Sequence, residues 1–285
     1  MSALGLSSAM APTVSLPSFL HLFRTEARLL LSRGSTRAAL VVALLVGIVP
    51  VLVGLKMQSM GPGGPSLNGV PVNQLVKLDG VTVAGWALQG RNFFVLPLFL
   101  VLAAAASFAE DLHDRTLREV LLRPLSRVQL LLARWSALAA LSVATLLLTC
   151  LPSLSLGLAV FGMPAFGQPG VLDVVGGYAA SFLSDLGLLA LTTLVALFLK
   201  NAGSVVASIL LLLGIDMGVR LALKGLGMLG MEGARVLVPW TFADALACWE
   251  GWKGEWSIAQ LVAVVAWTAG LALLASVRLR RMDVP

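Results

Sequence analysis

The sequence predicts an all-α integral membrane protein with six membrane-spanning helices. Apolar residues make up 58% of the 285 residues and charged residues only 12%, whereas soluble domains carry about 25% charged residues. The mean hydropathy is +0.94, and six separate apolar stretches approach or exceed the roughly 20 residues that a helix needs to cross a bilayer. We therefore expect one transmembrane domain over residues 1–285, with lipid covering its apolar surface.

Hydropathy also predicts where the spans lie. They are expected at about residues 38–55, 93–109, 130–160, 177–199, 203–223 and 257–277. Only Lys200, Asn201 and Ala202 separate the fourth span from the fifth, which predicts a tight hairpin. Residues 57–90 are rich in glycine and proline at residues 61–65 and predict a loop with little structure. Residues 224–256 predict short re-entrant or interfacial helices before the sixth span.

The distribution of basic residues predicts the orientation. With both termini on one side, 13 of the 20 lysines and arginines fall on that side and 7 on the other. Basic loops mark the cytoplasmic face, so both termini are expected inside the cell. Four tryptophans before the sixth span are expected to form an outer aromatic belt. They are Trp240, Trp249, Trp252 and Trp256.

Residues 16–33 predict an amphipathic helix that precedes the first span. Apolar residues recur there at three- and four-residue spacing, from Leu16 to Leu31, and His21, Thr25 and Arg28 fall on the other face. Such a helix is too polar to cross the bilayer and is expected to lie in its interface. Two interpretations stay open: a basic anchor that only fixes topology, or an elbow helix that touches a partner.

The segment between the second and third spans reads EDLHDRTLREVLLRPLSRVQLLLARW from Glu110 to Trp135. Asp114 can cap a short helix over residues 114–123, and Pro124 ends it. Ser126 and Gln129 then form a capping-box pattern that opens the third span. One interpretation is that the segment's arginines only enforce the positive-inside rule. That explains the charge but not the helix–break–helix pattern, which favours a docking surface for a cytoplasmic partner.

No motif in the sequence predicts chemistry carried out by this chain. It has no G-x-x-x-x-G-K-[ST] loop for nucleotide phosphates, no H-E-x-x-H and no G-x-S-x-G. Its two cysteines and two histidines lack metal-ligand spacing. We therefore predict no catalytic, cofactor-binding or metal-binding residues, and any ATP-driven work must come from another polypeptide.

The third predicted span is longer than the bilayer needs, so its start, with Arg134, is expected to project into the cytoplasm. Apart from that start, three charged residues fall inside predicted spans: Asp185, Asp216 and Arg220. Charges within a bilayer are costly and are therefore candidates for function. Asp216 and Arg220 are one helical turn apart, a spacing that permits an ion pair. Structural pairing between the fourth and fifth spans is one interpretation, and a proton or substrate relay is the other.

The segment that begins at Glu110 resembles the signature of the type-two (ABC-2 type) permeases of ATP-binding cassette transporters. That family has acidic residues, then G-T-L, an apolar pair, P-x-S-R and a later G-K. Arg115 replaces the usual first glycine, and Ala133-Arg134 replaces Gly-Lys. The matching residues are Glu110-Asp111, Thr116-Leu117, Leu121-Leu122 and Pro124-Leu125-Ser126-Arg127.

The resemblance implies the permease subunit of an export complex in a bacterial cytoplasmic (inner) membrane. A separate cytoplasmic subunit would bind ATP and Mg, and a second copy or a sister permease would complete the pathway, with no role for nucleic acid. The helix over residues 114–123 would act as the coupling helix, beside the N-terminal interfacial helix. The implied ATPase-coupling residues are Asp114, Thr116, Leu117, Val120, Leu121, Arg123, Pro124, Ser126 and Arg127.

Two other hypotheses remain open from the sequence. The first is a non-transporting membrane partner of an ATPase that transmits force to envelope proteins. The second is a membrane-embedded enzyme that uses Asp185 and Asp216 as an acid/base pair.

Overall fold

A computed structural model describes residues 19–59, 66–67, 70–71, 78–93, 95–110, 127–199 and 201–281. These residues form an all-α fold, as the sequence predicts. The single exception is a two-residue antiparallel pairing of β1, Ser66–Leu67, with β2, Val70–Pro71.

The helices follow one another in the order of the predicted spans and surface helices. The long ones are α1 (Phe19–Ser32), α2 (Gly34–Ser59), α3 (Gly80–Asn92), α4 (Val95–Ala105), α5 (Arg127–Phe161), α6 (Val171–Ala196), α7 (Ala202–Met228) and α10 (Ile258–Arg281). The short ones are a π-helical turn (Ala106–Glu110), α8 (Glu232–Leu237), a 3-10 turn (Val238–Trp240), α9 (Phe242–Leu246) and a second 3-10 turn (Ala247–Lys253).

Within the described residues, six helices are long and apolar enough to cross a bilayer. They are α2, the α3–α4 pair, α5, α6, α7 and α10. Their number equals the number predicted from hydropathy, and the chain is a multi-pass membrane protein by this criterion.

The second span differs from its prediction. The sequence places it at residues 93–109 and a loop before it, but α3 already begins at Gly80. The side chain of Asp79 caps α3 by accepting a hydrogen bond from the backbone N–H of Thr82 at 2.7 Å. A Cβ on Gly80 would lie 2.5 Å from the backbone nitrogen of Leu158 in α5, so this glycine is a close-packing position rather than a loop signal.

The core of the bundle is concentrated at two levels. Near the end where α2 begins, which we call the N-terminal end, buried residues of α1, α4, α5, α6, α7 and α10 form the larger cluster. Toward the opposite end, a second cluster surrounds Trp252, which is only 7% exposed and packs against Gly85. The aromatic-belt prediction is therefore wrong for Trp252, while Trp240 and Trp256 are 46% and 39% exposed.

The chain between α7 and α10 folds into short helices, as the sequence predicts. The segment from α9 to the second 3-10 turn lies against α6 and buries its own Cys248 there. Whether these helices are re-entrant or interfacial stays a prediction.

Candidate functional site

The predicted coupling helix, residues 114–123, lies outside the described residues, as do Pro124 and Ser126. Arg127 is the first residue of α5. The structure does describe both flanks of this segment: the π-helical turn that ends at Glu110, and the first turns of α5. The contacts between these flanks form the first of two clusters, each centred on a buried arginine.

The first cluster surrounds Arg134 on α5, whose side chain is 5% exposed. Its Nη1 donates to the backbone carbonyl of Ser107 at 2.6 Å, and its guanidinium carbon lies 5.7 Å from the centre of the Phe108 ring. Its Nε lies 3.4 Å from Oε1 of Glu26 on α1. One guanidinium therefore joins α5, the π-helical turn and α1.

A second arginine strengthens this junction. Arg33, between α1 and α2, donates from Nη1 to the hydroxyl of Ser107 at 3.3 Å. The same hydroxyl donates to the backbone carbonyl of Ala103 at 2.7 Å. Because Leu30 of α1 is also buried in the larger core cluster, the predicted surface helix packs against the bundle.

The second cluster is an ion pair within the bundle, between Arg91 of α3 and Asp185 of α6. The two side chains are 0% and 3% exposed. Nη2 of Arg91 pairs with Oδ2 of Asp185, and Nη1 lies 3.3 Å from Oδ1, so the contact is bidentate. Such forked pairs fix geometry as well as charge.

Hydroxyl and amide groups surround the ion pair. Nη1 of Arg91 also donates to Ser181 at 2.8 Å and to Oδ1 of Asn92 at 2.7 Å, and Nη2 donates to Thr145 at 3.3 Å. The Ser142 hydroxyl donates to Oδ2 of Asp185. The pair therefore links α3, α5 and α6 at one level. Two donors, Nε of Arg91 and Nδ2 of Asn92, have no partner among the described residues.

This arrangement corrects the sequence-based assignment for Asp185. Its partner lies on α3 and not on the fifth span. Arg91 was missed because the predicted loop extended to residue 90 and placed it outside the bilayer. The signals that could have found it are the Asp79–Thr82 capping pattern, which begins a helix before it, and the need of a buried Asp185 for a positive partner.

The other two intramembrane residues also have different partners from those predicted. Arg220 donates from Nε to Oδ1 of Asp244 on α9 at 2.6 Å, and Asp216 accepts a hydrogen bond from the backbone N–H of Ala243. Lys224 also lies 3.3 Å from Asp244. The predicted Asp216–Arg220 pair is therefore replaced by contacts that hold α9 against α7, because the chain after α7 folds back onto it.

A family model described as "Protein of unknown function (DUF2705)" matches residues 73–284. The chain belongs to the DUF2705 family. A search of curated proteins finds no significant match. The DUF2705 match begins before α3 and includes Arg91, Asp185 and Arg134, whereas α1 and Glu26 precede it.

The contacts of Asp185 and Asp216 in this DUF2705 chain do not favour an acid/base pair. Among the described residues the two carboxylates share no partner, since one faces Arg91 and Ser142 and the other a backbone N–H. No group of three or more histidine, cysteine, aspartate or glutamate side chains in the described residues could hold a metal ion. Burial raises the pKa of the Cys248 thiol, which a hydrogen bond with Ser184 partly offsets.

Proposed function

We propose that this chain is the transmembrane subunit of an ATP-binding cassette export complex, with ATP hydrolysed by a separate cytoplasmic subunit. The observation that carries the proposal is the Arg134 cluster. It ties together both flanks of the segment that resembles a coupling helix, and it adds the N-terminal surface helix to them.

The cluster provides a mechanical route from residues 111–126 into the bundle. The π-helical turn before this segment and α5 after it are joined through Ser107 and Arg134. Single π-helical turns within helices are frequent at functional sites. A displacement of this segment would therefore move the end of α4, the start of α5 and α1 together, and the motion would reach the bundle.

The Arg91–Asp185 cluster supplies the complementary property, rigidity. It fixes α3, α5 and α6 to one another near the middle of α5 and α6. In this proposal, movement at the coupling segment tilts these helices as a unit. The substrate pathway would form between this chain and a second copy or a sister permease, in a bacterial cytoplasmic membrane with both termini inside.

The proposal is tested by association with an ATP-binding cassette subunit encoded in a neighbouring reading frame. Leu121→Asp places a charge on the apolar face of the predicted coupling helix and is expected to abolish co-purification. The matched control is Phe166→Asp in the loop between α5 and α6, at the opposite end of the bundle, where the side chain is fully exposed. Association that survives Leu121→Asp would refute the coupling role.

A second measurement separates export from force transmission. Inside-out vesicles that contain both subunits are expected to accumulate an exported compound when ATP is supplied. ATP hydrolysis that depends on this chain without movement of any tested compound would instead favour a subunit that transmits force to envelope proteins.

A further inference from the structure

The outward face of α1 differs chemically from the face that packs on the bundle. Phe23, Ala27 and Leu30 contribute to the larger core cluster. Arg24 and Arg28 point away from this face, are exposed and make no hydrogen bond or ion pair with any described residue. One helical turn apart, they present two unneutralised guanidinium groups side by side.

Exposed leucines flank these arginines. Leu20 and Leu31 are 54% and 50% exposed and lie three helical turns apart on the same flank as Arg24. An arginine stripe beside an apolar flank on a surface helix suits a phosphate that carries acyl chains. The guanidinium groups can bind the phosphate oxygens while the leucines contact the chains.

Among the described residues, the basic charge at this end of the bundle comes from one residue type. Every described basic side chain there is an arginine, including Arg37 at the start of α2 and Arg280 and Arg281 at the end of α10. Residues 19–59 contain one acidic residue, Glu26, and Arg134 already neutralises it. At the opposite end, lysines such as Lys56, Lys224 and Lys253 occur as well. Arginine binds phosphate through a planar fork, which lysine cannot do.

We infer that the Arg24–Arg28 face of α1 is a binding site for an anionic phospholipid. The occupant is a lipid because the leucine flank has no counterpart in a soluble anion, and it is anionic because no acidic side chain of α1 remains to balance the arginines. The site is independent of the proposed export function, but it lies on the helix that Arg134 ties to the coupling segment.

Native mass spectrometry of the purified full chain tests this inference. Phosphatidylglycerol and phosphatidylcholine with the same acyl chains are titrated separately, and phosphatidylglycerol is expected to bind more tightly. Replacing both arginines (Arg24→Gln with Arg28→Gln) is expected to weaken the binding of phosphatidylglycerol about 25-fold, roughly fivefold for each arginine. Both side chains are exposed, so the melting temperature without added lipid is expected to stay at the wild-type value.

Two controls make the inference falsifiable. The double variant Arg280→Gln with Arg281→Gln removes the same charge at the same end and is expected to leave phosphatidylglycerol binding unchanged. Inorganic phosphate is expected not to displace the lipid. Equal loss of phosphatidylglycerol binding in the two double variants would refute the proposed lipid site. Equal binding of phosphatidylglycerol and phosphatidylcholine would refute it as well. Loss of association with the ATP-binding subunit, with lipid binding intact, would assign this face to that protein instead.

Discussion

Two arginines in this protein, Arg91 and Arg134, are similarly buried but have different kinds of partner. Arg91 is held by a buried carboxylate and a ring of hydroxyls on neighbouring spans. Arg134 is held by a backbone carbonyl, an aromatic face and a glutamate that is 16% exposed. The partners of Arg91 all lie inside the bundle. The partners of Arg134 connect the two elements that flank the predicted coupling segment, the π-helical turn and α5, to α1.

The difference predicts that burial of a charge in this membrane protein does not by itself mark function. A buried, fully paired charge is destabilising to break, because the remaining partner is left without compensation. Arg134 instead joins a surface helix to the π-helical turn that precedes the predicted coupling segment. We therefore expect Arg91 and Asp185 to govern folding, and Arg134 to govern activity.

The largest effect is expected from Asp185→Ala. This change leaves the Arg91 guanidinium buried without its carboxylate, and loss of one partner of such a pair costs about 3–5 kcal/mol. The yield of monodisperse protein in detergent is expected to fall sharply, as measured by size-exclusion chromatography. The control is Asp173→Ala, which removes only a cap that accepts from the backbone N–H of Gly170 at 2.8 Å and costs about 1 kcal/mol.

A double variant sharpens this prediction. Asp185→Leu combined with Arg91→Met replaces the pair with apolar groups and is expected to recover much of the yield, since apolar replacement of a buried pair is often neutral. A double variant that folds well but has no activity would show that the pair itself takes part in function, and the comparison would fail.

An intermediate effect on stability and a large effect on activity are expected from Arg134→Gln. The change removes a charged hydrogen bond to Ser107, which is worth about 1.5–3 kcal/mol, so the protein is expected to fold with a lower melting temperature. ATP hydrolysis by the assembled complex is expected to fall at least about tenfold, which corresponds to 1.4 kcal/mol, because the flanks of the coupling segment are no longer joined.

The matched control for Arg134 lies at the opposite end of the bundle. Arg235 also donates to a backbone carbonyl, that of Gly227, at 2.9 Å. Arg235 is exposed, so Arg235→Gln is expected to lower stability less than Arg134→Gln does. It is expected to leave ATP hydrolysis per folded complex unchanged. If both variants reduce hydrolysis equally, the Arg134 cluster has no special place in coupling.

The smallest effect is expected from Asp216→Ala. Its carboxylate accepts from one backbone N–H, that of Ala243, so its loss is expected to cost about 1–3 kcal/mol. Protein yield is expected to fall more than activity per folded molecule. Normal yield with abolished activity would instead place Asp216 in a proton or substrate relay.

Much of the fold follows from the sequence alone. Six apolar stretches predict six long helices because each must satisfy its backbone hydrogen bonds within itself. The amphipathic pattern over residues 16–33 predicts α1, which the structure gives as Phe19–Ser32. The prediction fails at α3, where glycines that are typical of loops instead allow close packing against α5 and Trp252.

The partners of the buried charges could be predicted only in part. Local spacing suggested that Asp216 pairs with Arg220, but the partner of Arg220 lies 24 residues away in a helix that folds back onto α7. Asp185 was identified as a costly buried charge, but its partner is 94 residues earlier in the chain. Pairings of this kind depend on how the helices pack, which periodicity does not determine.

The central claim, that residues 114–123 receive motion from a cytoplasmic ATPase, is tested most directly by the accessibility of residue 117. Leu117→Cys is introduced after Cys150 and Cys248 are replaced with serine, and Phe166→Cys in the same background reports the opposite end. A membrane-impermeant maleimide is expected to label residue 117 only in inside-out vesicles and residue 166 only in intact spheroplasts. Labelling of residue 117 from outside intact spheroplasts would contradict the account, because no cytoplasmic ATPase could then reach it.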